Sequence, residues 1–181
     1  MSGLHAARER TDAKLKYAGV HLAELLMWRA VQQAQGTDWE RAHQESFLYH
    51  VVGVRDALLQ ELNLFHACGL QMDQVRLPDL GARLTKQGKA SRGLGMLAAL
   101  EGDPKSWLSI AGRLRHFSTH QKNVPQQYYA GGDRHDRIFL KDPLEGQFIE
   151  TDYVELFSQW LENMRLLVTQ VRAEMPGAEN A

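Results

Sequence analysis

The chain has 181 residues, 44% of them hydrophobic and 24% charged, with a formal net charge of −1. These values describe one globular domain over 1–181, large enough for a real core and too short for two ordinary ones. They exclude a polybasic tail and an acidic disordered segment, and no stretch approaches the roughly 18 apolar residues of a membrane span. The opening MSGLHAARERTDAK lacks the apolar core of a secretory signal. The lone Cys68 offers neither an internal disulfide nor a zinc cluster. The expectation is a cytoplasmic protein with no membrane partner and no cofactor.

Helical periodicity dominates the first part. From about Ala7 to Gln35, Leu15, Ala18, Leu22, Leu25, Leu26, Trp28 and Val31 recur at three- and four-residue steps, and Gly36 ends the run. Thr37-Asp38-Trp39-Glu40 reads as a capping box opening a second long helix to about Cys68, with Gly69 as its C-cap. Ala42, Leu48, Val51, Val52, Leu58, Leu59, Leu62 and Phe65 form its inward side. A connection this short makes the two an antiparallel pair. Pro78 opens a short helix through Lys86, and Ser91 caps another through Leu100, weakened by Gly93 and Gly95. Asp103 as N-cap and Pro104 at the first helical position start the next helix, to about His120, which buries Trp107, Leu108, Ala111, Leu114 and Phe117.

Beyond Pro125 the pattern changes. Residues Gln126 to Asp136 read as an irregular loop with a Gly131-Gly132 pair. Arg137–Lys141, a turn at Asp142–Gly146, and Gln147–Glu150 form a small β-hairpin. Strands so short cannot stand alone, so they must pack on the helices. Asp152 caps a last helix that buries Tyr153, Leu156, Phe157, Trp160, Leu161, Met164, Leu167 and Val171, and the chain frays from about Pro176. The fold expected is all-α: an up-down bundle of four long helices plus short helices, with a β-hairpin insertion at about 124–150 before the last helix.

Charge is unevenly placed. Residues 80–132 carry eight bases and two acids, so that third of the chain is +6 and the remainder −7. A basic side of this kind suits a phosphate-bearing ligand or an acidic partner; solvated faces balanced in space by acids elsewhere explain it equally well.

The most chemically dense stretch lies there, in Gly112-Arg-Leu-Arg-His-Phe-Ser-Thr-His120. It gathers Arg113, Arg115, His116 and His120 near the end of one helix. Arg113 and His120 are seven apart and share a face, His116 lies four before His120, and Arg115 is displaced around the cylinder. Cleaving a phosphodiester without metal needs these groups: an imidazole to move protons near neutral pH and a guanidinium to hold phosphate oxygens. The alternative is structural, with Arg113 and Arg115 complementing the helix macrodipole and both histidines on the surface.

Arg115-His116-Phe-Ser-Thr-His120 resembles the motif of the HEPN superfamily of helical bundles, an Arg and a polar residue followed by a His after four to six intervening positions. Arg113 fits the six-residue spacing. The resemblance covers about residues 10–122 and the last helix; the segment 124–150 is not part of the family's minimal pattern. It implies an RNA-directed protein of toxin or defence type, a metal-independent endoribonuclease. In that role His120 handles protons at the ribose 2′-hydroxyl or leaving oxygen, Arg115 binds the scissile phosphate and His116 orients its neighbours. It also implies a homodimer with two motifs juxtaposed, and an antitoxin or other protein as partner. The alternative class is a non-catalytic helical interaction module.

Other constellations compete less well. Glu40-Arg-Ala-His43 has the Glu-x-x-His spacing of carboxylate-bridged metal bundles, but no second copy exists; a three-His site from His21, His43 and His50, or His66, is geometrically conceivable. Cys68 reads as a buried inert thiol. Gly88, Gly93 and Gly95 lack the Lys-Ser/Thr ending of a phosphate loop. Trp28, Trp39, Trp107 and Trp160 read as core, and Tyr128-Tyr129 as a loop pair suited to a partner surface, to base stacking, or to packing on its own bundle.

Overall fold

A computed structural model describes residues 3–31, 37–120, 123–129 and 137–175. The expected end of the first helix at Gly36, the Gly131-Gly132 pair and the frayed end from Pro176 lie outside these. The described chain is mostly helical: α1 (Gly3–Val31), α2 (Asp38–Phe65), α3 (Leu77–Lys86), α4 (Arg92–Gly102), α5 (Trp107–His120) and α6 (Tyr153–Arg172). Between α5 and α6 lies an antiparallel sheet of β1 (Gln126–Tyr129), β2 (Arg137–Lys141) and β3 (Phe148–Asp152), in the order β1-β2-β3. No described helix is long and apolar enough to cross a membrane.

The central element is α2. Phe47, Leu48, Val51, Val52, Val54, Ala57, Leu58, Leu59 and Leu62 are all buried, so the helix is covered on most of its circumference. It packs against α1 through Ala18, Leu22 and Leu25, and against α6 through a stack of Phe47 on Phe157 at 4.2 Å. Expected inward positions that face out are Leu26, 49% exposed, and Ala42. The Thr37 hydroxyl accepts from Glu40 N at 3.2 Å, as the cap predicts. The Glu40 side chain, however, is buried and accepts from Tyr153 Oη at 2.6 Å, which ties the start of α2 to α6.

At its other end α2 closes earlier than Gly69. Cys68 N donates to Asn63 O at 2.9 Å and Ala67 N to Leu64 O at 3.2 Å, a Schellman closure with Ala67 in the left-handed region at φ 53°. Asn63 then exchanges two hydrogen bonds with Leu70 and fixes the exit of the chain.

Three details of the middle differ from expectation. Helix α4 forms despite its glycines because Gly93 is a close-approach site: a Cβ there would lie 2.7 Å from Glu174 Oε1 and 2.9 Å from Val171 Cγ1. The Glu174 carboxylate accepts from Gly93 N and Ser91 Oγ, capping α4 from beyond the end of α6. Helix α5 starts three residues later than its Asp103-Pro104 signal, since Ser106 Oγ accepts from Ser109 N and is the working cap. Asp103 instead orders the preceding turn by accepting from Lys105 N. Finally, Gln126–Tyr129 is a strand. Its QQYY sequence has no alternation to announce it; the backbone pairs Gln126 with Leu140 and Tyr128 with Ile138. The central strand β2 buries Ile138, Phe139 and Leu140 consecutively, covered on both faces as a middle strand must be. Asp152 caps α6 through Val154 N and also accepts from Ile138 N, which joins sheet to helix.

Ala67 has a Cβ where the closure favours glycine, at a cost of about 1 kcal/mol. Ala67→Gly is expected to raise unfolding stability by about 1 kcal/mol in urea denaturation with an unchanged m-value; a loss of stability would show that the closure is not maintained in solution.

Candidate functional site

The last three turns of α5 hold all four residues singled out by sequence, and the structure separates their circumstances. Arg113 donates from Nε to Asp142 Oδ1 at 2.9 Å and pairs through a second nitrogen with Asp142 Oδ2. It also donates to Pro104 O at 2.8 Å. Asp142 is buried in the β2–β3 turn, which it organises by accepting from Leu144 N. Burial alone would push the Asp142 carboxyl up, but the Arg113 hydrogen bonds hold it below the usual carboxylate range. The Arg113 guanidinium is thus committed to fastening the sheet's turn onto α5.

Arg115 is differently placed. Its Nε is buried and has no hydrogen-bond partner among the described residues. Its guanidinium carbon lies 5.6 Å from the centre of the Tyr49 ring, projected from α2. On the same helix, His116 and His120 are exposed on successive turns with ring centroids 4.8 Å apart. The Ser118 and Thr119 hydroxyls between them both donate to Arg115 O and so are spent on the helix backbone.

A groove of about 560 Å³ runs beside this helix, lined among others by Arg55, Glu101, Arg113, Arg115, His116 and Leu144. Its arginines sort by partner. Arg55 pairs with both Glu101 and Asp56, and Arg113 pairs with Asp142. Arg115 has no carboxylate in salt-bridge range among the described residues. It is therefore the guanidinium in the groove that can take an exogenous anion without breaking an internal pair.

The histidines along α1 and α2 form a different assembly. His21 Nδ1 and His43 Nδ1 are 3.1 Å apart, and His50 stacks on His21 at 5.5 Å with nearly parallel rings. Among the described residues no group of three His, Cys, Asp or Glu side chains is arranged to hold a metal ion. His66 instead terminates α2 beside Phe65. The imidazoles join Trp28, Trp39 and Tyr49 in a continuous run of ring contacts along α1 and α2. Trp28 and Trp39 in this run are half-buried, as is Trp107 outside it, while Trp160 is buried.

The sequence reading passed over Tyr49, which supports Arg115, and Asp142, which captures Arg113. Neither carries a local signal, since each acts on a residue far away in the chain. No family model, curated protein or solved structure matches the chain.

Burial lowers the pKa of His21 and His50 below the ordinary imidazole value; His43 adds to this for His21, opposed by Glu24, and Lys14, His21 and Arg10 add to it for His50. A depressed folded-state pKa means that the unfolded chain binds protons first. Stability is then complete above the unfolded value near 6.5 and is lost as pH falls through the folded values. The melting temperature is expected to fall between pH 7.5 and 5.5, by less in His50→Asn than in wild type; equal falls in both would remove His50 as a cause.

Proposed function

We propose that the protein is a HEPN-like RNA-directed protein acting as a metal-independent endoribonuclease, with its site at the C-terminal end of α5. The observation that carries the reading is that Arg115, whose Nε is buried with no hydrogen-bond partner among the described residues, lines one groove with the exposed His116, whose ring lies 4.8 Å from that of His120. Phosphodiester cleavage by an internal hydroxyl needs a base, an acid and a charge-stabilising donor, and these three side chains supply them.

In the step we envisage, His120 removes the proton from a ribose 2′-hydroxyl and the 2′-oxygen attacks the adjacent phosphorus. The bond from phosphorus to the 5′-oxygen breaks, His116 protonates that oxygen as it leaves, and a 2′,3′-cyclic phosphate remains on the other fragment. Arg115 binds the non-bridging oxygens while negative charge grows on them. Arg113 falls outside the reacting set in this reading, because its hydrogen bonds are taken by Asp142 and Pro104. It acts by holding α5 against the sheet. Outward-facing His116 and His120 also suit a homodimer in which two α5 ends approach each other across a two-fold axis.

The test is cleavage of mixed RNA in EDTA by purified protein. Wild type is expected to cut and leave 2′,3′-cyclic phosphate ends. His120→Ala should lower the rate by about 10²–10⁴-fold and Arg115→Ala by about 10²–10³-fold, both with unchanged melting temperature. RNA left intact by wild type would favour the non-catalytic helical module.

A further inference from the structure

Lys14 of α1 lies across α2 at Gly53. A Cβ on Gly53 would meet Lys14 Nζ at 2.6 Å, Cε at 3.1 Å and Cδ at 3.2 Å, so the lysine stem occupies the space that any other residue at 53 would fill. Glycine in the middle of a buried helix is unfavourable relative to alanine, and here the space it leaves holds a cationic side chain. The ammonium arrives 4.9 Å from the centre of the Tyr49 ring, the same ring that carries Arg115 at 5.6 Å. Tyr49 is 49% exposed, so solvent or a ligand reaches it.

This arrangement concentrates like charge. Arg10 and Arg115 both act on Lys14 unfavourably, together with its burial, and the opposing carboxylate is Asp56. Asp56 is itself engaged by Arg55. Lys14 forms no salt bridge among the described residues. Cations held near one another without matching acids are stabilised when an anion arrives. Two cations flanking one exposed aromatic ring match the needs of a single-stranded polynucleotide, which offers successive phosphates with bases that can stack between them.

We propose that Lys14 is a second phosphate-binding residue of the α5 site, placed by the Gly53 gap so that it and Arg115 grip neighbouring phosphates of one RNA strand around Tyr49. The inference rests on the nucleic-acid reading of Arg115 but not on cleavage. It gives Gly53 a role that packing does not, since the atoms nearest to its missing Cβ are the far end of a long lysine side chain.

The experiment measures binding of a short fluorescein-labelled single-stranded oligoribonucleotide of mixed sequence by anisotropy, across a salt series, in the His120→Ala background so that no strand is cut. Lys14→Met is expected to weaken binding about tenfold and to flatten the dependence of log affinity on log salt by about 0.7, the signature of one lost phosphate contact on a single strand. Lys14→Arg should retain most of the affinity. Gly53→Ala should weaken binding while leaving the melting temperature unchanged or higher, and should add little to Lys14→Met because both act through the same ammonium. Wild-type affinity and salt slope in Lys14→Met, with binding lost in Arg115→Met, would overturn the role of Lys14 and leave the Arg115 reading standing. Lys14-dependent binding by a protein that never cuts RNA would overturn the nuclease reading and leave this one. Absence of binding in every form overturns both.

Discussion

Two carboxylates buried in α2 govern how the helices assemble. Glu61 has no exposed surface, and it is met by Arg172 of α6 in a two-pronged contact at 2.9 and 3.0 Å, by the Thr11 hydroxyl of α1, and at 3.9 Å by Arg8. Glu40, at the opposite end of α2, is equally buried and accepts from Tyr153. Apolar stripes alone would allow α1 and α6 to slide or rotate on α2 at little cost. A buried charge without its partner costs several kcal/mol, so these contacts fix one register. The phenol of Tyr153 shows the same confinement: burial first, and then its hydrogen bond to Glu40, push its pKa far above the ordinary value.

The candidate site follows from that register. With α6 fixed by Tyr153 and Arg172, Asp152 at its N-terminus holds Ile138 N and pairs with Arg29 of α1, which places the sheet. The β2–β3 turn then presents Asp142 to Arg113, and α5 is clamped between turn and bundle. This sequence of constraints assigns each groove arginine a partner until Arg115 is reached. Its position over Tyr49 costs no acid, because the ring face provides partial negative charge while leaving the guanidinium available.

Much of the helical architecture was legible in the sequence because helix signals are local. Thr37, Ser91 and Asp152 act as caps where they were expected, each on a backbone N–H two or three residues on. The departures arise where a distant residue decides. Ser106 displaces Asp103 as the cap of α5, and the helix-closing left-handed residue is Ala67, two positions before Gly69, which is left-handed as well. The strand at 126–129 exists through its pairing with β2 and shows no pattern of its own. Among the site residues, position along α5 was readable, but availability was not. Arg113 and Arg115 are indistinguishable by spacing, and Asp142, 29 residues downstream, distinguishes them. The aromatic residues misled for a similar reason: composition does not tell a core tryptophan such as Trp160 from Trp28 and Trp39, which stack on each other at 4.7 Å in a half-buried ladder.

The two glycines buried within α2 and α4 illustrate how the same local penalty serves different ends. Each lowers helix propensity by roughly 1 kcal/mol against alanine. At Gly93 the missing Cβ lets a carboxylate and Val171 approach, and that carboxylate is fixed by its bonds to Ser91 and to the backbone. The gap therefore converts directly into packing of α4 on α6. At Gly53 the nearest atoms belong to the end of a long, flexible side chain that could move aside at small cost. Packing gains little from such a gap, because Lys14 could reach water by another rotamer and lose only its contact with Tyr49. What the gap changes is where a positive charge rests: beside Tyr49, the ring that also carries Arg115.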